Sequence, residues 1–240
     1  MRHMENGRFE RSRSLLGDAA FVDLAAAHVA VFGVGGVGGW CAEALVRTGV
    51  RRLTLIDDDT VAESNINRQR QANPSTVGMP KVEVLKDMLL ETVPDADITA
   101  IAERYTPETS DRFTALLTNC NFVIDAIDSV SCKAHLIQRC TEKADGRQPI
   151  IFSSMGAALR IDPTRIRTAP FHKVTGDGLA KALRNRYRKS GHALPRHLCV
   201  YSEELPESMT GTIKGSVMPV TCAFGMTLAS LVVKAVREQS

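Results

Sequence analysis

Residues 57–69 read DDDTVAESNINRQ, three consecutive aspartates followed by Asn65, Asn67, Arg68 and Gln69 in a turn-rich stretch after a short apolar run. Lys81 comes soon after, in VGMPK. Acids and cations in this order suit a polyphosphate. Asp57 is placed to accept ribose hydroxyls, and Asp59 points the same way if the strand spacing continues for two more residues. Fixed cations such as Arg68 and Lys81 neutralise the charge that grows on phosphate oxygens as a leaving group departs. A further carboxylate, Asp128 in DAIDS, ends another apolar run and offers the hard oxygen that magnesium takes. Taken singly, Arg68 is an ordinary surface ion-pair partner, Lys81 a first-turn helix residue and Asp128 a helix cap. Their order and their places at strand ends give them a joint meaning.

Such residues need a scaffold that brings strand ends together. Gly33, Gly35 and Gly38 form G-x-G-x-x-G, with Gly36 and Gly39 added, between the apolar run HVAVFG and a helix that stops at Gly49. Glycines there permit a tight turn and let backbone amides and a helix N-terminus face phosphate. Asp57 follows Gly38 by 19 residues, the spacing of a ribose-binding acid. NAD and ATP both fit that loop. Hydride transfer has no use for a neighbouring arginine and lysine, so Arg68 and Lys81 favour ATP.

Strands are expected at 28–33, 51–59, 97–105, 121–128 and 149–156, alternating with helices at 81–93, 110–120 and 131–144. A helix over 15–27 precedes them. This rhythm predicts an α/β, Rossmann-like, mostly parallel sheet with helices on both faces. Beyond Gly156 the rhythm breaks. Antiparallel strands around a turn at Asp162-Pro163, a basic helix near 176–190, a polar loop near 191–215 and a final apolar helix form a C-terminal antiparallel and helical extension. Two regions follow, 8–160 for nucleotide activation and 161–240 packed on it.

The chain has 240 residues, 44 % hydrophobic and 24 % charged, ample for a large core. Its net charge is +3 and its pI about 8.6. The polar start lacks the apolar stretch of a secretory signal, and no apolar run is expected to cross a bilayer, so a cytoplasmic location is expected. Six cysteines are scattered with no CxxC pair, which disfavours structural zinc. Cys199, in an expected strand LCVYS, and Cys222, at the start of the final apolar helix, are expected in the core instead of acting as nucleophiles. Residues 184–197, RNRYRKSGHALPRH, hold five Arg or Lys and two His with no acid. That run reads either as a solvated helix face or as a polyanion patch. Tyr187 within it is expected to pack on the helix, and His172 and Lys173 to decorate a loop.

GVGGVGG, DDDTVAESNINRQ, VGMPK and DAIDS together resemble the nucleotide-activating domain of the ubiquitin-activating-enzyme-like superfamily, which includes ThiF and MoeB, over about residues 8–160. The resemblance implies Asp57 on the ribose, Gly36 among the loop glycines against the phosphates, Arg68 and Lys81 on the triphosphate, and Asp128 on magnesium. RFERSR, residues 8–13, resembles the segment that sends an arginine into a partner subunit's active site, implying that Arg11 acts in trans within a homodimer. ThiF and MoeB usually carry two CxxC pairs, absent here. GDAAFVDLAAAHVAVFGVGGVGG, DAIDSVSCKAHLI, IDPTRIR and CVYSEE are similar to the tRNA threonylcarbamoyladenosine dehydratase family (TcdA/CsdL-type) almost end to end. That resemblance implies an ATP- and magnesium-dependent enzyme that cyclises the threonylcarbamoyl group on the adenosine beside the tRNA anticodon. It also makes tRNA a partner, with the basic run contacting it, and a sulfur-transfer protein a further candidate. The stretch RTAPFHKVTGDGLAKALR is less acidic than this family leads one to expect. The rival within the superfamily adenylates the C-terminal carboxylate of a ubiquitin-like carrier; the rival outside it is an NAD-dependent oxidoreductase.

Overall fold

A computed structural model describes residues 5–142, 148–209 and 211–240. The first strand, β1 (His28–Phe32), is buried at every position. Val29 and Val31 face one core while Ala30 and Phe32 face another. A strand covered on both faces reads as a continuous apolar run, as this one does. The others are β2 (Arg52–Ile56), β3 (Asp97–Ile101), β4 (Phe122–Asp125), β5 (Ile150–Ser154), β6 (Ile166–Pro170) and β7 (Leu198–Ser202). All seven form one sheet in the order β3-β2-β1-β4-β5-β7-β6. Every pairing is parallel except that of β6 with β7. The fold is therefore the expected α/β class, with one antiparallel pair at the C-terminal end.

The helices α1 (Glu5–Leu16), α2 (Asp18–Ala26), α3 (Gly38–Thr48), α4 (Lys81–Thr92) and α8 (Met218–Gln239) contribute to one core. The opposite core takes α5 (Thr114–Asn119), α6 (Val130–Thr141) and α7 (Gly178–Ser190). Contact between α8 and α3 is close. A Cβ on Gly225 would lie 2.5 Å from the Val37 carbonyl oxygen, so only glycine allows this approach. Phe224, Leu228 and Val232 are buried there, each contributing about 1.5–3 kcal/mol.

Several expectations change. α8 is long and apolar enough by length and composition to cross a bilayer, which the sequence reading missed, yet half of its apolar window is buried inside this fold. The helix expected over 15–27 is two helices broken at Gly17, whose φ is 85°. Helix α6 ends at Thr141, and positions 143–144 of its expected span lie outside the described residues. The segment before Asp162 is no strand. Glu204 accepts the amides of Ile161 (3.0 Å) and Asp162 (3.0 Å), and Asp162 accepts that of Thr164 (2.8 Å), so side chains satisfy the donors that a ladder would have used. The antiparallel partner of β6 is β7, the strand expected at LCVYS within the polar loop.

The chain runs from β1 to β2 on one side and returns to β4 on the other. Such a reversal opens a crevice at the carboxyl ends of β1 and β4.

Candidate functional site

The glycine loop lines that crevice. Gly33 has a φ of 85°, and a Cβ on it would lie 2.8 Å from the Ala126 carbonyl oxygen, beyond β4. A Cβ on Gly38 would lie 1.8 Å from the Gly33 carbonyl oxygen. The turn closes on itself only because both lack side chains. It leads into α3, which has no side chain capping its N-terminus, the end where a helix offers donors and a positive dipole to an anion.

The segment after β2 is laced to this loop. Asp57 Oδ2 accepts the Val34 amide at 2.8 Å, and Gln71 Nε2 donates to the Val34 carbonyl at 2.7 Å. Trp40 Nε1, from α3, donates to the Arg68 carbonyl at 3.0 Å. Arg68 lies directly on the glycine loop, because a Cβ on Gly36 would be 3.2 Å from Arg68 Cγ. Its Nη1 donates to the Ser64 carbonyl (2.8 Å) and to Asn67 Oδ1 (2.9 Å), which orients the guanidinium and leaves most of its five donors for a ligand. Gly35 faces Gln69, whose Nε2 would lie 3.7 Å from a Cβ there.

β2 stops at Ile56, so Asp59 does not continue the strand spacing. Its amide donates to Asp57 Oδ1 at 2.9 Å in a local turn. Its carboxylate instead reaches Lys81, Nζ to Oδ2 at 2.6 Å. Lys81 opens α4 and is buried, whereas Asp59 is exposed. Asn65 is buried, and its Oδ1 accepts the Ala62 amide at 3.0 Å, closing the short turn that carries Arg68. Asp57 has two of its roughly four lone-pair positions occupied by amides, which leaves acceptors for two hydroxyls. Burial pushes its carboxyl above the usual range, against the downward pull of those amides and of Lys81.

Asp128 is exposed just beyond β4, one residue before the N-cap Ser129 of α6. An exposed carboxylate at this wall of the crevice fits magnesium, which combines one or two carboxylates with phosphate oxygens. One oxygen each of Asp57, Asp58 and Asp59 also lie within 4.8 Å of one another. Asp57 and Asp59, however, are already committed to the loop amides and Lys81.

Beneath Asp128 lies a network that sequence reasoning missed. Lys133 Nζ meets Asp125 Oδ2 at 2.9 Å and donates to the carbonyls of Asp125 (3.2 Å) and Ile127 (3.0 Å). Ser153 Oγ donates to Asp125 Oδ2 at 2.7 Å, and His197 Nε2 lies 3.0 Å from Ser153 Oγ. Burial pushes the Asp125 carboxyl up while Lys133 and Ser153 pull it down. Burial and the Lys133 charge press the His197 imidazole down to about 3, so it is neutral. The first acid of DAIDS, Asp125, was the one available signal.

Arg11 is not brought to these loops. It is exposed on α1, which is anchored at the amino end of β3, opposite the strand ends that carry these loops, by Arg8 to Asp95 at 2.9 Å and by buried Phe9. Cys199 is fully buried and burial pushes its thiol up; Cys222, half-buried, is shifted the same way. Tyr187 is buried, its hydroxyl donating to the Ala134 carbonyl at 2.8 Å, which removes it as an exposed stacking platform. His172 and Lys173 are exposed on a turn after β6.

The profile of the ThiF family matches residues 9–239. The chain is 40 % identical to the tRNA threonylcarbamoyladenosine dehydratase of Bacillus subtilis, over 77 % of this chain and 70 % of that one. It is 35 % identical to the enzyme of that name from Escherichia coli, over 94 % and 87 %. A crystal structure of the E. coli tRNA N6-threonylcarbamoyladenosine dehydratase in complex with ATP superposes with a TM-score of 0.90 at 34 % identity, covering 99 % of this chain and 96 % of that one.

Proposed function

The chain belongs to the ThiF family, in its tRNA threonylcarbamoyladenosine dehydratase branch, and from that premise we propose that it uses ATP to dehydrate and cyclise threonylcarbamoyladenosine in tRNA. The observation that carries this reading is the placing of two cations around one glycine loop: Arg68 lies on Gly36, and buried Lys81 is held by Asp59, whose turn is bonded to Asp57 and through it to the Val34 amide of that loop. A triphosphate laid along Gly33–Gly38 meets both. Asp57 takes the ribose hydroxyls. Magnesium would be held by Asp128 and would supply positive charge to the phosphate oxygens. Arg11 reaches the crevice of a second copy, which makes the working unit a cytoplasmic homodimer.

The substrate carboxylate is a poor electrophile with a poor leaving group. One of its oxygens attacks a phosphorus of ATP, and pyrophosphate leaves if AMP is transferred, or ADP if a phosphoryl group is. The neighbouring carbamoyl group then attacks the acyl carbon. The activating group leaves with that carboxylate oxygen, a ring closes, and the nucleoside has lost one water. Arg68 and Lys81 favour the charge on the departing phosphates, which is where fixed cations accelerate. No step asks for a protein thiol, consistent with Cys199 being buried and protonated.

The test is mass spectrometry of nucleosides from tRNA bearing threonylcarbamoyladenosine, incubated with the protein and ATP-magnesium, with Lys81→Ala in parallel. Loss of one water, dependent on ATP and abolished in the variant, is expected. An unchanged nucleoside with ATP still bound would move the acceptor from RNA to the carboxylate of a carrier protein.

A further inference from the structure

Between α6 and α7 the surface opens into a pocket of about 680 Å³, within the range of small-ligand sites. Its floor is apolar, from Ala134, Ala182 and the buried Tyr187 ring. Its polar lining includes Gln138, Asn185 and His135, with Arg186, Lys189 and His192 and no acid among the described residues; Glu142 stands at its rim, accepting from Gln138 Nε2 at 2.6 Å and 3.8 Å from His192 Nε2. Neither Arg186 nor Lys189 has an ion-pair partner among the described residues. The Asn185 amide nitrogen, the Gln138 carbonyl oxygen and His135 Nε2 likewise have no hydrogen-bond partner among them.

An apolar floor, unused donors and acceptors and two unpaired cations are the three things a nucleotide asks for. Resting on the RNA-substrate reading above, we propose that this pocket takes one unpaired nucleotide of the RNA, its phosphate on Arg186 and Lys189 and its base edge on Asn185, Gln138 and His135. Sequence-specific readers of RNA hold unstacked loop bases by hydrogen bonds to their edges. The basic segment continues through exposed Arg188 and Arg196, a track for successive phosphates and not a seat for a single free one. Position also favours RNA. The pocket runs along α6 from Val130, two residues past Asp128 at the wall of the crevice, to Gln138, about 12 Å further along the helix, so a strand of RNA seated here extends toward the crevice. It is a site separate from that of ATP.

The experiment titrates a fluorescent anticodon stem-loop bearing threonylcarbamoyladenosine, and separately free CMP, into the wild type, Arg186→Ala/Lys189→Ala and Asn185→Ala at several salt concentrations. ATP affinity, measured on each protein, reports that the fold is intact. The double variant is expected to bind the stem-loop at least about tenfold more weakly, with a salt slope shallower by about one to two. Asn185→Ala is expected to weaken binding with the slope unchanged, and ATP affinity should be the same in all three. Equal stem-loop binding by wild type and double variant overturns the pocket and leaves the RNA reading standing. No stem-loop binding by the wild type overturns both. Saturable CMP binding that depends on Arg186 and Lys189, without stem-loop binding, assigns the pocket to a free nucleotide and overturns the RNA assignment.

Discussion

Beyond β2, Lys81 meets Asp59 at 2.6 Å, with the lysine side chain 7 % exposed and the aspartate 66 %. Beyond β4, Lys133 meets Asp125 at 2.9 Å with neither exposed. The same two residue types at neighbouring strand ends thus form one pair that solvent can enter and one that it cannot. An anion arriving in the crevice can replace Asp59 on Lys81. Nothing can replace Asp125 on Lys133, whose ammonium is also bonded to the carbonyls of Asp125 and Ile127. The first pair is open to exchange with a ligand, as the proposed function requires. The second holds the backbone of the segment that ends in Asp128.

The largest effect expected is on the closed pair. Lys133→Met leaves the Asp125 carboxylate buried without its counter-ion and should cost about 3–5 kcal/mol in urea unfolding. Asp125→Leu together with Lys133→Met should recover most of that, since two apolar groups leave no charge unpaired. A single variant within about 1 kcal/mol of wild type would break the comparison, because the pair would then be no more structural than a surface one.

Lys81→Ala comes next. Removing a cation from the growing charge of a leaving phosphate typically costs about 100-fold or more in turnover. Single-turnover rates with saturating tRNA and ATP should fall by that order, while the urea midpoint moves little because Asp59 is left solvated. A variant that unfolds like Lys133→Met but turns over normally would reverse the roles assigned to the two pairs.

The two regions also differ in how far the sequence reveals them. Gly33 and Gly38 are legible because the turn tolerates no Cβ, and Lys81 because a lysine opening a helix next to a phosphate loop has an obvious use. Asp57 follows from its distance to Gly38. Asp59 was placed on the right side for the wrong reason, since β2 ends before it and a local turn aims it at Lys81. The network under β4 is not legible. Ser153 and His197 come from β5 and from the residue before β7, and only the sheet order brings them to Asp125. Trp40 and Gln71 escaped for the same reason, as their partners are backbone atoms, which carry no sequence signal.

A third prediction separates binding from folding at Asp57. Its carboxyl is pushed up by burial, and under the proposed function the ionised form is the one that would accept the ribose hydroxyls. ATP affinity should therefore fall as pH drops through a midpoint above the ordinary carboxylate value of about 4. The sign for stability is opposite. The folded chain takes up this proton before the unfolded chain does, so Asp57 makes the fold more stable as pH falls through the same window. Asp57→Asn should weaken ATP at neutral pH by about tenfold, an ordinary value for a lost charge-assisted hydrogen bond, and abolish the acid dependence. Calorimetric titration from neutral to mildly acidic pH reads both, and a retained acid limb in the variant would assign the titration to another group.

The smallest effect is the one that bears most directly on the comparison. Asp59→Asn removes the charge from the open pair and leaves Lys81 mostly buried beside a neutral amide. With its carboxylate so exposed, the stability lost should be about 1 kcal/mol or less. A triphosphate then no longer competes with Asp59 for the ammonium, so ATP should bind a few-fold more tightly than before, and its added stabilisation should grow with it. Thermal melts across an ATP series would show the variant starting below wild type and converging on it at saturation. Lys133→Met, treated the same way, should remain displaced at every ATP concentration, because its missing charge lies where no phosphate reaches. Parallel displacement of both variants would mean that Asp59 is as structural as Asp125, and that the difference in exposure between the two pairs has no functional content.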